Sequence, residues 1–73
     1  MSAIKTKNIA DAFFQLQMGK TIQPVGSTGI MWMGFGVIYW RNYGQSANKA
    51  NKRELRWIFR VIFKSKTYDF IVL

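Results

Sequence analysis

The residue types that enzymes use for proton transfer and nucleophilic attack are sparse in this 73-residue chain. It has no histidine and no cysteine, and its three acids, Asp11, Glu54 and Asp69, are scattered. Gly19-Lys20-Thr21 is similar to the end of a phosphate-binding loop, but Phe14 stands where that loop needs its first glycine. We therefore predict no catalytic residue, metal site, cofactor or small-molecule substrate, and a protein that acts by binding.

Cations are the residues best suited to such binding, because the net charge is +8. In the last third of the chain they recur every three or four residues, at Lys49, Lys52, Arg53, Arg56, Arg60 and Lys64. Large apolar residues fall between them, so a helix would separate a charged side from an apolar side. We predict a basic amphipathic helix in which Arg53, Arg56, Arg60 and Lys64 contact an anionic lipid such as cardiolipin. The alternative is a solvated face on a helix packed against another subunit.

The element that would hold this helix at a lipid surface is the uncharged stretch of residues 21–40, between Lys20 and Arg41. About 20 residues rising about 1.5 Å each cover roughly 30 Å, the thickness of a hydrocarbon core. Residues 30–40 are wholly apolar, and Tyr39 and Trp40 stand where an interfacial aromatic belt is expected. This pattern predicts one transmembrane helix. A buried helix in a small soluble domain is the alternative.

Two further patterns complete an all-α prediction with no independent globular core. Residues 9–18 form an amphipathic pattern that Asn8 caps and Gly19 ends. Gly26, Gly29 and Gly36 share one side of the predicted membrane helix, where they would let another helix pack closely. The predicted order is an amphipathic segment at 1–20, the transmembrane helix at 21–43 and a basic extension at 44–73, whose last residues dock as a short extended segment.

A family resemblance supports the membrane interpretation. Met18-Gly19-Lys20-Thr21-Ile22-Gln23-Pro24, with Phe13 and Phe14 before it, resembles the region leading into the single span of subunit k of the mitochondrial ATP synthase. The resemblance covers residues 13–36, and the basic extension lies outside it. More broadly, the chain is similar to the single-span supernumerary subunits of respiratory complexes. The resemblance implies a structural, non-catalytic subunit of the mitochondrial inner membrane that contacts other subunits and cardiolipin and supports assembly or dimerisation.

Three other functions fit parts of the pattern. One is an accessory subunit of respiratory complex I, III or IV. Another is a membrane-active protein similar to a holin or a toxin, which would share the span and the basic tail. The third is a small nucleic-acid-binding protein, in which the cations contact phosphates and Trp57, Phe59, Phe63 and Tyr68 stack on bases. That third function requires residues 21–40 to be a core helix, and the predicted membrane span therefore argues against a nucleic-acid partner.

Overall fold

A computed structural model describes residues 3–73 of the chain. The first two residues of the predicted segment 1–20 lie outside the described residues. The helix α1 spans Ala10–Gln17, and the strands are β1 Ile22–Pro24, β2 Ile30–Gly34, β3 Val37–Arg41, β4 Asn48–Ala50 and β5 Phe70–Val72. Between β4 and β5, a helical segment begins as a 3₁₀ turn at Lys52–Glu54, continues as α2 at Leu55–Trp57 and ends as a π-helical turn at Ile58–Ile62. We call residues 52–62 the basic helix.

The strands form one antiparallel five-stranded sheet in the order β4-β3-β2-β1-β5. Consecutive strands from β1 to β4 are neighbours, and β5 returns to pair with the free edge of β1. The hairpin between β2 and β3 has the two-residue loop Phe35-Gly36, since Gly34 pairs with Val37. Both loop residues have positive φ, 52° and 77°, as a type I′ turn requires. This turn sets the register of the two longest strands.

Only one face of the sheet is covered. Because side chains alternate along a strand, Ile22, Met31, Ile38 and Phe70 share a face. They belong to one buried cluster with Ala12 and Leu16 of α1 and with Leu55, Ile58, Phe59 and Phe63 of the basic helix and the residue after it. Both helices therefore pack against the same face, and the protein has two layers. The opposite face carries the side chains of the intervening residues, and none of the helices described within residues 3–73 lies over it.

The predicted all-α fold with a transmembrane helix at residues 21–43 is wrong. That stretch contains β1, β2 and β3. Among residues 3–73, no helix has the length and apolar character needed to cross a bilayer. The long apolar run exists because β2 and β3 carry apolar or aromatic residues on both faces. Its central Phe35-Gly36 is a turn, which divides the run into two strands of five residues each.

The N-terminal prediction is confirmed in outline. The helix expected at residues 9–18 is present as α1, Ala10–Gln17. Gly19, with φ of 82°, ends it as expected, and the Asn8 Oδ1 atom accepts a hydrogen bond of 2.9 Å from the backbone N–H of Ala10. Ala12 and Leu16, four residues apart, are its buried positions. Local sequence was therefore sufficient for this element.

The predicted glycine face and basic extension need correction. Gly26 and Gly36 lie in turns with positive φ, and Gly29 is buried under the ring of Phe63 just before β2. The three glycines therefore do not lie on a helix. Within residues 44–73, the helical part is limited to the basic helix, and the last residues form β5, an extended segment that docks on β1 of the same protein.

Candidate nucleic-acid interface

The uncovered sheet face carries a stacked pair of aromatic rings at its centre. Trp32 on β2 and Tyr39 on β3 are directly opposite each other in the register. Their ring centroids are 5.8 Å apart and the ring planes differ by 17°. Neither residue belongs to the buried cluster, because their strand neighbours Met31 and Ile38 point to the helices instead. The two rings therefore form a flat platform that solvent reaches.

Two cations lie beside this platform. Lys49 on β4 is paired with Tyr39, which places it on the same face. Arg41, two residues after Tyr39 on β3, is also on this face and is paired with Ile30. Both cationic residues are exposed. We call Trp32, Tyr39, Arg41 and Lys49 the open face. It combines π surfaces with positive charge, which suits bases joined by phosphates.

A cleft continues the open face at the end of β3. It has a volume of about 450 Å³ and is lined by Thr28, Ile30, Arg41, Asn42, Tyr43 and Gly44. The Tyr43 ring is 87% exposed. The lining contains a hydroxyl, an amide and a guanidinium, which together donate and accept hydrogen bonds. The cleft thus adds polar groups and a further ring next to Arg41.

The other end of the hairpin presents an aromatic residue in a costly conformation. Phe35 has φ of 52° and its side chain is fully exposed. A non-glycine residue in the left-handed region costs about 1 kcal/mol, and this turn position favours Asn, Asp or Gly. Phe35 gains no core packing to offset that cost. A strained, exposed ring three residues from Trp32 is a reason to include the hairpin tip in a binding surface.

Replacing Phe35 with asparagine should stabilise the protein and weaken ligand binding. Asparagine tolerates positive φ, so we expect the free energy of unfolding to rise by about 0.5–1 kcal/mol. Loss of the ring should lower affinity for single-stranded nucleic acid by about fivefold or more. Urea unfolding and fluorescence titration of the same preparation measure both quantities. An asparagine variant that binds as well as the parent would exclude Phe35 from the interface.

The predicted lipid-binding residues lie on the other layer of the molecule. Arg53, Arg56 and Arg60 are exposed on the basic helix, and Lys64 follows it with φ of 53°. The Arg60 guanidinium carbon lies 5.8 Å from the centroid of the Tyr68 ring. Three of the four predicted residues thus lie on the basic helix and Lys64 just after it, on the layer opposite the open face. Lipid binding by these four residues stays a prediction.

The aromatic residues predicted for base stacking are largely the wrong ones. Phe59 and Phe63 are buried in the core, and Tyr68 is half-buried with its ring edge against Phe59. Only Trp57, 52% exposed, presents a substantial free surface. The platform of Trp32 and Tyr39 was missed because both residues lay inside the assumed membrane span. The sequence pattern that indicates this platform is a pair of short strand-like runs, residues 30–34 and 37–41, joined by the turn Phe35-Gly36.

Each of the three carboxylates accepts a hydrogen bond from a backbone N–H or a threonine hydroxyl. Asp69 Oδ1 accepts the backbone N–H of Thr6 at 2.9 Å, and Asp11 Oδ2 accepts the hydroxyl of the same threonine. Glu54 Oε1 accepts the backbone N–H of Asn51 at 3.0 Å, at the start of the basic helix. Within residues 3–73, no three His, Cys, Asp or Glu side chains form a potential metal site. The carboxylates therefore stabilise chain turns and do not form a cluster.

Together, the fold and this surface define a small two-layer α+β protein with one open, aromatic and cationic sheet face. Scans against protein-family models, curated proteins and solved structures found no match to this chain. The functional argument therefore rests on the physical properties of the surface itself.

Proposed function

We propose that this protein binds single-stranded nucleic acid on its open face, with bases stacked on Trp32 and Tyr39 and phosphates at Arg41 and Lys49. The observation that supports the proposal is the stacked ring pair, 5.8 Å between centroids, on the sheet face opposite the two described helices. A tryptophan or tyrosine ring on such a face provides stacking for any base. The adjacent cations supply sequence-independent attraction to the phosphates.

The surface favours a single strand over a duplex. In a duplex the base faces are already stacked on one another, so a flat ring platform gains contact only with unpaired bases. The platform is also short: β2 and β3 have five residues each, and strands rise about 3.3 Å per residue. Such a length accommodates a few nucleotides. The net charge of +8 attracts the negatively charged strand to the protein at long range.

The membrane-complex subunit predicted from the sequence depended mainly on a helix at residues 21–40. Because β-strands occupy that stretch, the prediction of a membrane-complex subunit loses its principal argument. Its function and location stay untested predictions. The nucleic-acid function does not need the span, and it uses the aromatic residues in the positions where the fold places them.

Tryptophan fluorescence and salt dependence test the proposal directly. A Trp57→Phe variant leaves Trp32 as the tryptophan on the open face, since Trp40 is on the core face and packs edge-on against Phe63. Adding an oligothymidylate of about six nucleotides should quench this fluorescence as a base stacks. With about two phosphate contacts, the logarithm of the binding constant should fall with the logarithm of salt concentration with a slope of about −1.4.

The same titration with a duplex of equal length is the control. We expect weaker binding and little quenching with the duplex. Equal affinity for both forms, or binding without quenching, would contradict stacking on the open face. Self-association through the open face is tested by sedimentation of the free protein and by quenching of Trp32 with a neutral quencher. A dimer in which Trp32 is shielded from the quencher would mean that a second copy occupies this face.

A further inference from the structure

A groove on the helical layer combines an apolar floor with a cationic rim. It lies between α1 and the start of the basic helix and has a volume of about 590 Å³. Its floor includes Ile9, Phe13 and Leu55, and its rim includes Lys52, Arg53 and Arg56. The Lys52 Nζ atom lies 4.7 Å from the centroid of the Phe13 ring. We call this concavity the basic groove. The open face does not include any of these residues.

A second, smaller cleft extends from the basic groove to the tip of the β2–β3 hairpin. This corner cleft, about 300 Å³, shares Phe13 and Lys52 with the basic groove. Its lining also includes Gly36 of the hairpin loop and Val37 of β3. Val37 pairs with Gly34 and lies on the same side of the sheet as Tyr39, two residues further along. The corner cleft lies mainly on the helix-covered side, since Met33, Ile38 and Ala50 also line it. It reaches the hairpin tip at Gly36 and Val37, where a bound chain can pass around from the open face.

The charges along this route have one sign. Lys49 lies at the open-face end, Lys52 at the corner, and Arg53 and Arg56 at the groove end. Two carboxylates are sequence neighbours of residues that line the groove: Glu54 accepts the backbone N–H of Asn51, and Asp11, next to Ala10 of the groove, accepts the hydroxyl of Thr6. Phe35, fully exposed beside Gly36, stands at the turn of the route. A chain of alternating phosphates and bases would meet cations and rings throughout.

We propose that a nucleic-acid strand longer than the open face continues over the β2–β3 hairpin tip, through the corner cleft, and into the basic groove. The proposal rests on the proposed function, because the open face is where the strand begins. It assigns a role to Phe35 at the corner and to Lys52, Arg53 and Arg56 as phosphate contacts.

Oligonucleotide length separates the two proposals. An oligothymidylate of about five nucleotides reports the open face, and one of about fifteen can follow the whole route. In the parent protein, the long oligonucleotide should bind at least tenfold more tightly than the short one. A double variant, Lys52→Gln with Arg56→Gln, should lose about tenfold in affinity for the long oligonucleotide and less than twofold for the short one. Its salt slope with the long form should become shallower by about 1.4.

The matched control removes the same charge elsewhere. Lys5 follows the bridge between Ile4 and Phe70, and Lys66 precedes β5, so both lie towards the sheet edge opposite β4. Lys5→Gln with Lys66→Gln should therefore affect the long oligonucleotide less than threefold. Equal losses in the two double variants would mean general attraction to net charge and would overturn the route.

Two other outcomes distinguish a failure of the open-face proposal from a failure of the route. If the short oligonucleotide fails to bind, the open-face proposal fails. If it binds but the long one gains nothing, the open face stands and the route is wrong. Energy transfer between two differently labelled long strands on one protein molecule would show that the basic groove holds a second strand, which also overturns a continuous route.

Discussion

Replacing Trp32 and Tyr39 together with alanine should lower the affinity for short single-stranded oligonucleotides by about a hundredfold or more. Removal of one stacking ring costs about 1–3 kcal/mol, and about 1.4 kcal/mol corresponds to a tenfold change in affinity. The two rings lie 5.8 Å apart and support the same bases, so their effects are coupled and need not add. Fluorescence anisotropy of a labelled oligothymidylate at fixed salt measures the loss.

Conservative variants provide the control for this prediction. Trp32→Phe with Tyr39→Phe keeps two aromatic rings on the open face and should retain affinity within about tenfold. Trp57→Ala removes an exposed ring of the basic helix, which lies outside the open face, and should change affinity for the short oligonucleotide less than twofold. Thermal unfolding checks that the alanine variant is folded. A folded alanine variant with parental affinity would remove the rings from the proposed function.

The Gly29→Ala substitution should destabilise the protein by about 3 kcal/mol. A methyl group at this position would lie 2.0 Å from Cε1 and 2.5 Å from Cδ1 of the Phe63 ring. Phe63 is only 5% exposed and packs edge-on against Trp40, with 5.8 Å between the ring centroids. The ring cannot move away without disturbing the core, and overpacking of this kind typically costs 1–3 kcal/mol or more. Urea unfolding gives the change in free energy of unfolding.

Gly34→Ala is the matched control. Gly34 is also a glycine of the β2 region, but a methyl group there would lie 3.6 Å from the Tyr39 ring, an ordinary contact. Its effect should stay within about 0.5 kcal/mol of zero. Adding Phe63→Ala to Gly29→Ala should cost less than the sum of the two single changes, because the smaller side chain makes room. Strict additivity, or equal effects of the two glycine substitutions, would contradict the proposed contact.

Two non-glycine residues of the described part of the chain have a strained backbone, one at the hairpin tip and one just after the basic helix. Phe35 and Lys64 are the non-glycine residues with positive φ among those described. A glycine would be less strained at either position. At Lys64, the conformation ends the helix, and the backbone N–H of the next residue, Ser65, donates to Phe59 O at 2.9 Å. Phe35 has no comparable role in the core, and its exposed ring therefore belongs to the proposed binding surface.

The sequence alone was sufficient for features that depend on local residues or on composition. Asn8, the apolar spacing of Ile9, Phe13 and Leu16, and Gly19 together predicted α1 and its end, because helix boundaries follow from backbone groups within a few residues. The positive charge and the helical spacing of Arg53, Arg56 and Arg60 were likewise visible. The sequence did not show what these cations contact, because the spacing of charges describes a surface and does not identify its partner.

The tertiary structure decided how the apolar run from Ile30 to Trp40 folds and which of its aromatic rings are free. A continuous apolar stretch has no periodicity that separates a helix from strands with apolar residues on both faces. Pairing between β2 and β3, with Phe35-Gly36 as their turn, resolved this ambiguity. Pairing then placed Trp40 towards the helices and Trp32 and Tyr39 away from them. Which rings solvent reaches depends on long-range contacts with α1 and the basic helix, and a linear pattern does not contain that information.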